Sequence, residues 1–216
     1  MSQSLSQHLE DPSETIRLLR LAAHGEQGSW QELMERHRDR LDRMVRLRLD
    51  ARMQARVDAS DVIQDAFVEA WKKLPQFLSE PKMTFFLWLR SITTNKLMAL
   101  HRFHLGTEQR SAGREVSLFR GAIPASTTAA LAANLIGGFT QPSDAAIRSE
   151  LKLRLQEALN QLDPIDREIL TLRHLEQLTN AESAEVLAIT VSSASKRYMR
   201  GLRRIRRLLC GADDDG

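Results

Sequence analysis

Apolar positions recur at intervals of three and four along most of this chain, and period-two alternation is scarce. That spacing is the signature of amphipathic helices, so the sequence predicts an all-α protein. Ile16, Leu19 and Ala23 form the inner side of a first helix over Thr15–Ala23, which Gly25 and Gly28 end. Trp30, Leu33, Met34, His37, Leu41, Met44, Val45 and Leu49 then define a longer helix reaching about Arg52. Ile63, Ala66, Phe67, Ala70, Trp71 and Leu74 form the next stripe, with Asp58 or Ser60 as its N-cap and Pro75 as its stop. A loop follows over Phe77–Met83, and another helix starts near Thr84, with Phe85, Trp88, Leu89, Ile92, Leu97 and Leu100 turned inward.

The pattern lapses between Gly106 and Pro142, where residues 121–138 are small and nearly uncharged apart from a short helix expected at Thr127–Leu135. A structureless stretch of that length is unusual inside one compact domain, so it is read as a linker. The expected organisation is therefore two small helical domains, 1–107 and 145–216, joined by a flexible linker over 108–144. In the second domain Ile147, Leu151, Leu155 and Leu159 mark one helix. Asp163-Pro164 opens another, with Pro at its first turn and Ile169, Leu170, Leu172 and Leu175 buried.

Thr179 to Leu209 then reads as a short helix, a tight turn and a long basic helix. Thr179 and Glu182 have the spacing of a capping box, Ala181, Ala184, Val186 and Leu187 face the partner helix, and Thr190 or Ser192 caps the second helix. Val191, Ala194, Tyr198, Leu202, Ile205 and Leu209 supply its apolar side. Lys196, Arg197, Arg200, Arg203, Arg204, Arg206 and Arg207 are not interrupted by a single acid. A solvated face ordinarily mixes both signs, so this helix suits a polyanion, and a short helix leading into it suggests a helix-turn-helix on duplex DNA.

The formal net charge of +3 conceals this segregation. Acids gather at Asp58–Glu69 and Asp213–Asp215, bases at Arg36–Arg56 and Lys196–Arg207. The Arg36–Arg48 bases are offset by Glu32, Glu35, Asp39 and Asp42, so a solvated face and a functional face both fit that helix. Opposite Ile63 and Phe67 lies a side of Asp61, Gln64, Asp65 and, obliquely, Val68, either wet or a protein contact. Arg90, Thr93, Thr94, Asn95, Lys96, His101, Arg102 and His104 stand among aromatic residues, a mixture suited to single-stranded nucleic acid, where rings stack on bases and cations follow phosphates. Core packing is the alternative for Phe85 and Trp88, and for Trp88 it is the preferred reading. His101 and His104 have no cysteine or second ligand pair nearby, so neither a metal nor a cofactor is expected. A lone cysteine, Cys210, allows no internal disulfide, and no apolar run approaches the roughly 20 residues of a membrane span. The N-terminus carries no secretory pattern, and a cytoplasmic protein is expected. No nucleophile–base set or phosphate-cradling glycine loop is visible, so catalysis is not expected.

Two stretches in this order resemble a known family. DASDVIQDAFVEAWKKLPQF with FFLWLRSITTNKLMALHR is similar to region 2 of bacterial sigma factors, and LDPIDREILTLRHLEQLTNAESAEVLAITVSSASKRYMRGLRRIRRLL to region 4. With only a linker between them, they resemble the extracytoplasmic-function class of the sigma-70 family. The resemblance implies a chain that binds core RNA polymerase and directs promoter recognition and melting. It assigns Ser60, Asp61, Gln64, Asp65 and Val68 to the clamp coiled coil of the largest polymerase subunit. It assigns Lys82, Arg90, Asn95, Lys96 and Arg102 to the melted minus-10 strand. Ser192, Ser193, Lys196, Arg197, Arg200, Arg203 and Arg204 fall to the minus-35 duplex, and the polymerase flap is a further contact of the chain. An anti-sigma factor is a further partner that the resemblance allows, and no membrane contact is expected. This chain departs from the family at Ala99, where an acid is common, and at Ala188, where a turn glycine is common. It departs again at Ser183, in place of a β-branched core residue, and at the small Ala194. A less tightly packed helix pair is the expected result. A stand-alone helix-turn-helix regulator of duplex DNA and a helical protein adaptor are the rival readings.

Overall fold

A computed structural model of the protein describes residues 12–49, 53, 56–105, 125–137 and 145–210. Residues 1–11, 106–124 and 138–144, the acidic tail and the side chains of His104, Ile147 and Cys210 lie outside the described set. Among the described residues every regular element is a helix. These are α1 (Pro12–Ala23), α2 (Gln27–Arg48), α3 (Ala59–Ser79), α4 (Phe85–Leu105), α5 (Ala125–Gly137), α6 (Ala145–Asn160), α7 (Pro164–His174), α8 (Asn180–Val186) and α9 (Val191–Cys210).

The helices of the first half wrap one core. Leu18, Leu33, Leu41, Met44, Ile63, Ala66, Ala70 and Leu89 are almost fully excluded from solvent. On α1 the buried side is Leu18, Leu19 and Ala22, while the expected Ile16 is 48 % exposed and Ala23 faces water. The helix is turned because α2 packs along the Leu18/Ala22 ridge. Gly28 lies inside α2, and the break comes one turn earlier at Gly25, whose φ of 92° is a conformation open to glycine. Asp58 is the α3 cap and accepts a hydrogen bond from Ser60 N at 2.9 Å. Pro75 does not stop α3, which continues to Ser79. The ring points outward, and continuing the helix buries Leu74 and Phe77, which offsets the missing N–H.

The expected linker contains more structure than its composition suggested. Helix α5 buries Leu131, Ala132 and Leu135 against Leu155, Leu159, Leu170 and Ile205 of α6, α7 and α9 and against Leu162 and Leu175 just past α6 and α7. Thr127 on α5 also donates a hydrogen bond to the Leu47 carbonyl on α2. The two halves of the chain are in contact. Ile169, Leu172, Leu178, Ala184, Leu187 and Ala194 belong to the same buried cluster as α1–α4.

Candidate nucleic-acid and polymerase interfaces

Local chemistry builds the helix-turn-helix. Thr179 accepts from Glu182 N at 3.1 Å while the Glu182 carboxylate accepts from Thr179 N at 2.7 Å, completing the capping box. Thr190 caps α9, accepting from Ser193 N at 3.1 Å. Between them Ala188 takes φ = 52°, the conformation for which glycine is the usual residue. Ser183 is fully buried and donates to the Thr179 carbonyl at 2.8 Å, so its hydroxyl is satisfied inside its own helix. Ala194 is also fully buried, and its small side chain lets α8 and α9 approach. Asn180 ties the pair, donating to the Val191 carbonyl at 3.0 Å and to Ser195 Oγ at 2.9 Å. Of the residues expected to join α8 to its neighbours, Ala184 and Leu187 are buried, Val186 is half-buried and Ala181 is exposed. Val191, expected inside, is 52 % exposed at the first turn of α9.

Ser192, Lys196, Arg200, Arg203 and Arg204 are exposed on α9, and Ser193 and Arg197 are half-buried. Two of these cations are held from behind. Asp166, on α7 and 3 % exposed, accepts from Arg200 Nε at 2.6 Å and Arg200 Nη2 at 2.7 Å. It also accepts from Arg197 Nη1 at 2.9 Å, and Asp163 lies 3.4 Å from the same nitrogen. The hydrogen bonds it donates to Asp166 push the pKa of the Arg200 guanidinium above its ordinary value. Helices α7 and α9 meet closely here because Gly201 has no side chain. A Cβ built there would lie 3.3 Å from Leu170 Cδ1 and 3.6 Å from the Asp166 carbonyl. Sequence reasoning missed Asp166. The signal was an acid four residues before the buried Leu170, on the second helix before the basic one.

On α4 the structure divides the expected single-strand residues. Asn95 and Arg102 are exposed and, seven residues apart, share one outward face with Ala99. Lys96 is half-buried and 3.9 Å from Glu69. Lys82 is exposed in the preceding loop, 3.3 Å from Glu80. Arg90 lies elsewhere: it is 3 % exposed and bonded to Glu176 at 2.8 Å and 3.1 Å. Arg48 joins them, donating to Glu176 at 2.7 Å and to Glu168. Thr93, Thr94 and His101 are buried as well. The threonine hydroxyls donate back to the Leu89 and Arg90 carbonyls, which satisfies them within the helix. Trp88 stacks on Phe77 with ring centroids 4.5 Å apart and packs as core.

The α3 face is open throughout. Ser60, Asp61, Gln64, Asp65 and Val68 are all exposed, and Val68 is 51 % so. Trp71, expected in the core, extends this face instead, at 41 % exposure, with one edge against Trp30 at 5.1 Å. Spacing alone put it on the border of the apolar stripe, where the bulk of Trp30 decides its side. Among the described residues, no helix is long and apolar enough to cross a membrane.

Comparison with known proteins follows the same division. The model of Sigma-70 region 2 matches residues 33–104, and that of Sigma-70, region 4 matches residues 152–205. The RNA polymerase sigma factor NccH of Alcaligenes xylosoxydans xylosoxydans is 28% identical over 93% of this chain and 97% of its own length. The ECF RNA polymerase sigma factor SigW of Bacillus subtilis is 25% identical over 86% and 91%. A solved structure of CnrH in complex with the cytosolic domain of CnrY matches with a TM-score of 0.52 and 27% identity, over 93% of this chain and 99% of that one. With region 2 matched from within α2 to the end of α4, region 4 on the helix-turn-helix half and relatives aligned almost end to end, the chain belongs to the sigma-70 family of RNA polymerase sigma factors, in its extracytoplasmic-function class.

Proposed function

We propose that this sigma factor works by binding rather than by catalysis, through three surfaces. Ser60, Asp61, Gln64, Asp65 and Val68, extended by Trp71, dock on the clamp coiled coil of the largest polymerase subunit. Lys82, Asn95, Lys96 and Arg102 hold the melted minus-10 strand, and Arg90 joins them only if Glu176 is released. Ser192, Ser193, Lys196, Arg197, Arg200, Arg203 and Arg204 bind the minus-35 duplex, with the region 4 domain on the polymerase flap. The functional units follow the expected division at 1–107, 108–144 and 145–216.

One observation carries the reading: an open acidic and apolar helix face and an open all-basic recognition helix stand on separate halves of one chain. A polymerase subunit needs both, whereas a duplex-only regulator needs the second alone. Capture of an extruded base offsets part of the unstacking cost of melting, and phosphate contacts by α9 anchor the upstream end. The neighbouring structure contains CnrH with a cytosolic domain of a second protein. This supports a protein partner of the anti-sigma kind for the present chain, acting in the cytoplasm.

The test is pull-down with core polymerase followed by run-off transcription on genomic fragments. Core binding with a defined set of start sites is expected. Duplex binding without core affinity would instead establish the stand-alone regulator.

A further inference from the structure

Arg200 has the side chain most suited to reading guanine, because its fork can donate two parallel hydrogen bonds to O6 and N7. In this protein the Nε/Nη2 edge of that fork is already taken by Asp166 at 2.6 Å and 2.7 Å. The same carboxylate holds Arg197 at 2.9 Å. Asp166 is itself nearly sealed, beneath the close α7–α9 approach that Gly201 permits. The pair therefore sits on a rigid support, and each arginine keeps only part of its donor set for an outside ligand. Lys196, one turn away on α9, is exposed, and among the described residues it has no ion pair.

We propose that Asp166 is a specificity-determining positioning residue of the minus-35 reader, holding the Arg200 fork away from base edges so that Arg197 and Arg200 anchor phosphate while Lys196 and the serines at the start of α9 read sequence. This rests on the minus-35 assignment of α9. Asp166 touches no DNA. Its carboxylate limits how many cations can turn to the backbone and keeps the two that it holds at one height. Removing the charge frees both arginines for any phosphate or guanine within reach, which favours sequence-independent contacts.

The experiment uses holoenzyme reconstituted from core polymerase and the full chain. Sequencing of the start sites made on sheared genomic DNA supplies the promoter probe, and a random-sequence duplex is the reference. Asp166→Asn is expected to bind the random duplex more tightly, with a salt slope steeper by about one to two, since each added phosphate contact contributes about 0.9. Its preference for promoter over random duplex is expected to fall about tenfold. Unchanged slope and preference overturn the inference. So does an equal loss on both duplexes with a lowered melting temperature, which would make Asp166 a structural staple alone. Arg200→Lys, a surface change that does not depend on tolerance at Asp166, is expected to weaken promoter and random duplex by the same factor. A selective loss of about tenfold at one base pair would mean that the fork reads a base, and would also overturn it. Lys196→Ala separates the underlying reading. If it leaves the start-site set unchanged, the minus-35 assignment falls and this inference with it. If it alters the set while Asp166→Asn does not, the inference alone falls.

Discussion

Arg90 of α4 and Glu176, just past the end of α7, form a buried ion pair between the two halves of the chain, with Nε 2.8 Å from Oε2. Arg48 and Glu168 complete a group of four charges, two of each sign, with side chains no more than 9% exposed. Replacing such a group by apolar residues is often harmless, but removing one member leaves an uncompensated charge in a dry site. Glu176→Ala should therefore lower the unfolding free energy by about 3–5 kcal/mol in urea titrations. A loss below about 1 kcal/mol would mean that the halves separate readily and that water reaches the arginines.

The same pair sets a pH dependence. Burial alone would raise the Glu176 carboxyl, but the Arg48 and Arg90 guanidinium groups outweigh it and hold the value at about 2, against an ordinary 4.5. A value lowered in the folded state contributes stability that is full above the unfolded value and is lost as pH falls through the folded one. The contribution should drain away between about pH 5 and pH 2 and amount to about 3 kcal/mol. Glu176→Gln should flatten that part of the stability profile. An acid limb as steep as in the unaltered protein would place the titrating group elsewhere.

Ala188 offers a change in the opposite direction. A residue with a Cβ at φ = 52° pays about 1–2 kcal/mol that glycine avoids. Part of that relief is offset by the greater freedom of glycine in the unfolded chain. Ala188→Gly should raise stability by about 0.5–1 kcal/mol, read as a higher melting temperature, with the helix-turn-helix unchanged.

The proposed polymerase face can be tested without disturbing the core, because Asp61 and Gln64 are both exposed. Asp61→Arg combined with Gln64→Ala should abolish capture of core polymerase while the circular dichroism spectrum and melting point stay within error. Undiminished capture would move the contact off α3.

The recognition helix has a comparable test. Lys196→Ala with Arg200→Ala should leave core binding intact and blur promoter choice. Two lost phosphate or base contacts should also flatten the salt dependence of DNA binding by up to about two in slope. Start sites identical to those of the unaltered protein would refute the minus-35 assignment.

The helices, their caps and the two segregated charge patterns were legible in the sequence because each depends on residues within a turn or two. Asp58, Thr179 with Glu182 and Asp163-Pro164 mark helix starts through bonds spanning two or three residues. The family resemblance needed no more than these short stretches. What could not be read locally was which neighbour meets a given face. Helical periodicity fixes the angle of a side chain about its own axis, not the element that packs over it. Arg90 and Arg102 look alike in sequence, yet the segment just past α7 brings Glu176 onto one and leaves the other exposed. Trp71 was pushed outward by Trp30, forty-one positions earlier in the chain, and Pro75 was carried through by the burial of Phe77. Asp166 meets Arg197 and Arg200 only when α9 folds back over α7, joining residues 31 and 34 positions apart. Residue type and spacing were enough to say that α9 meets a polyanion. Which of its arginines are held by an acid was decided by a carboxylate on another helix, because an ion pair depends on distance in space and not on distance along the chain.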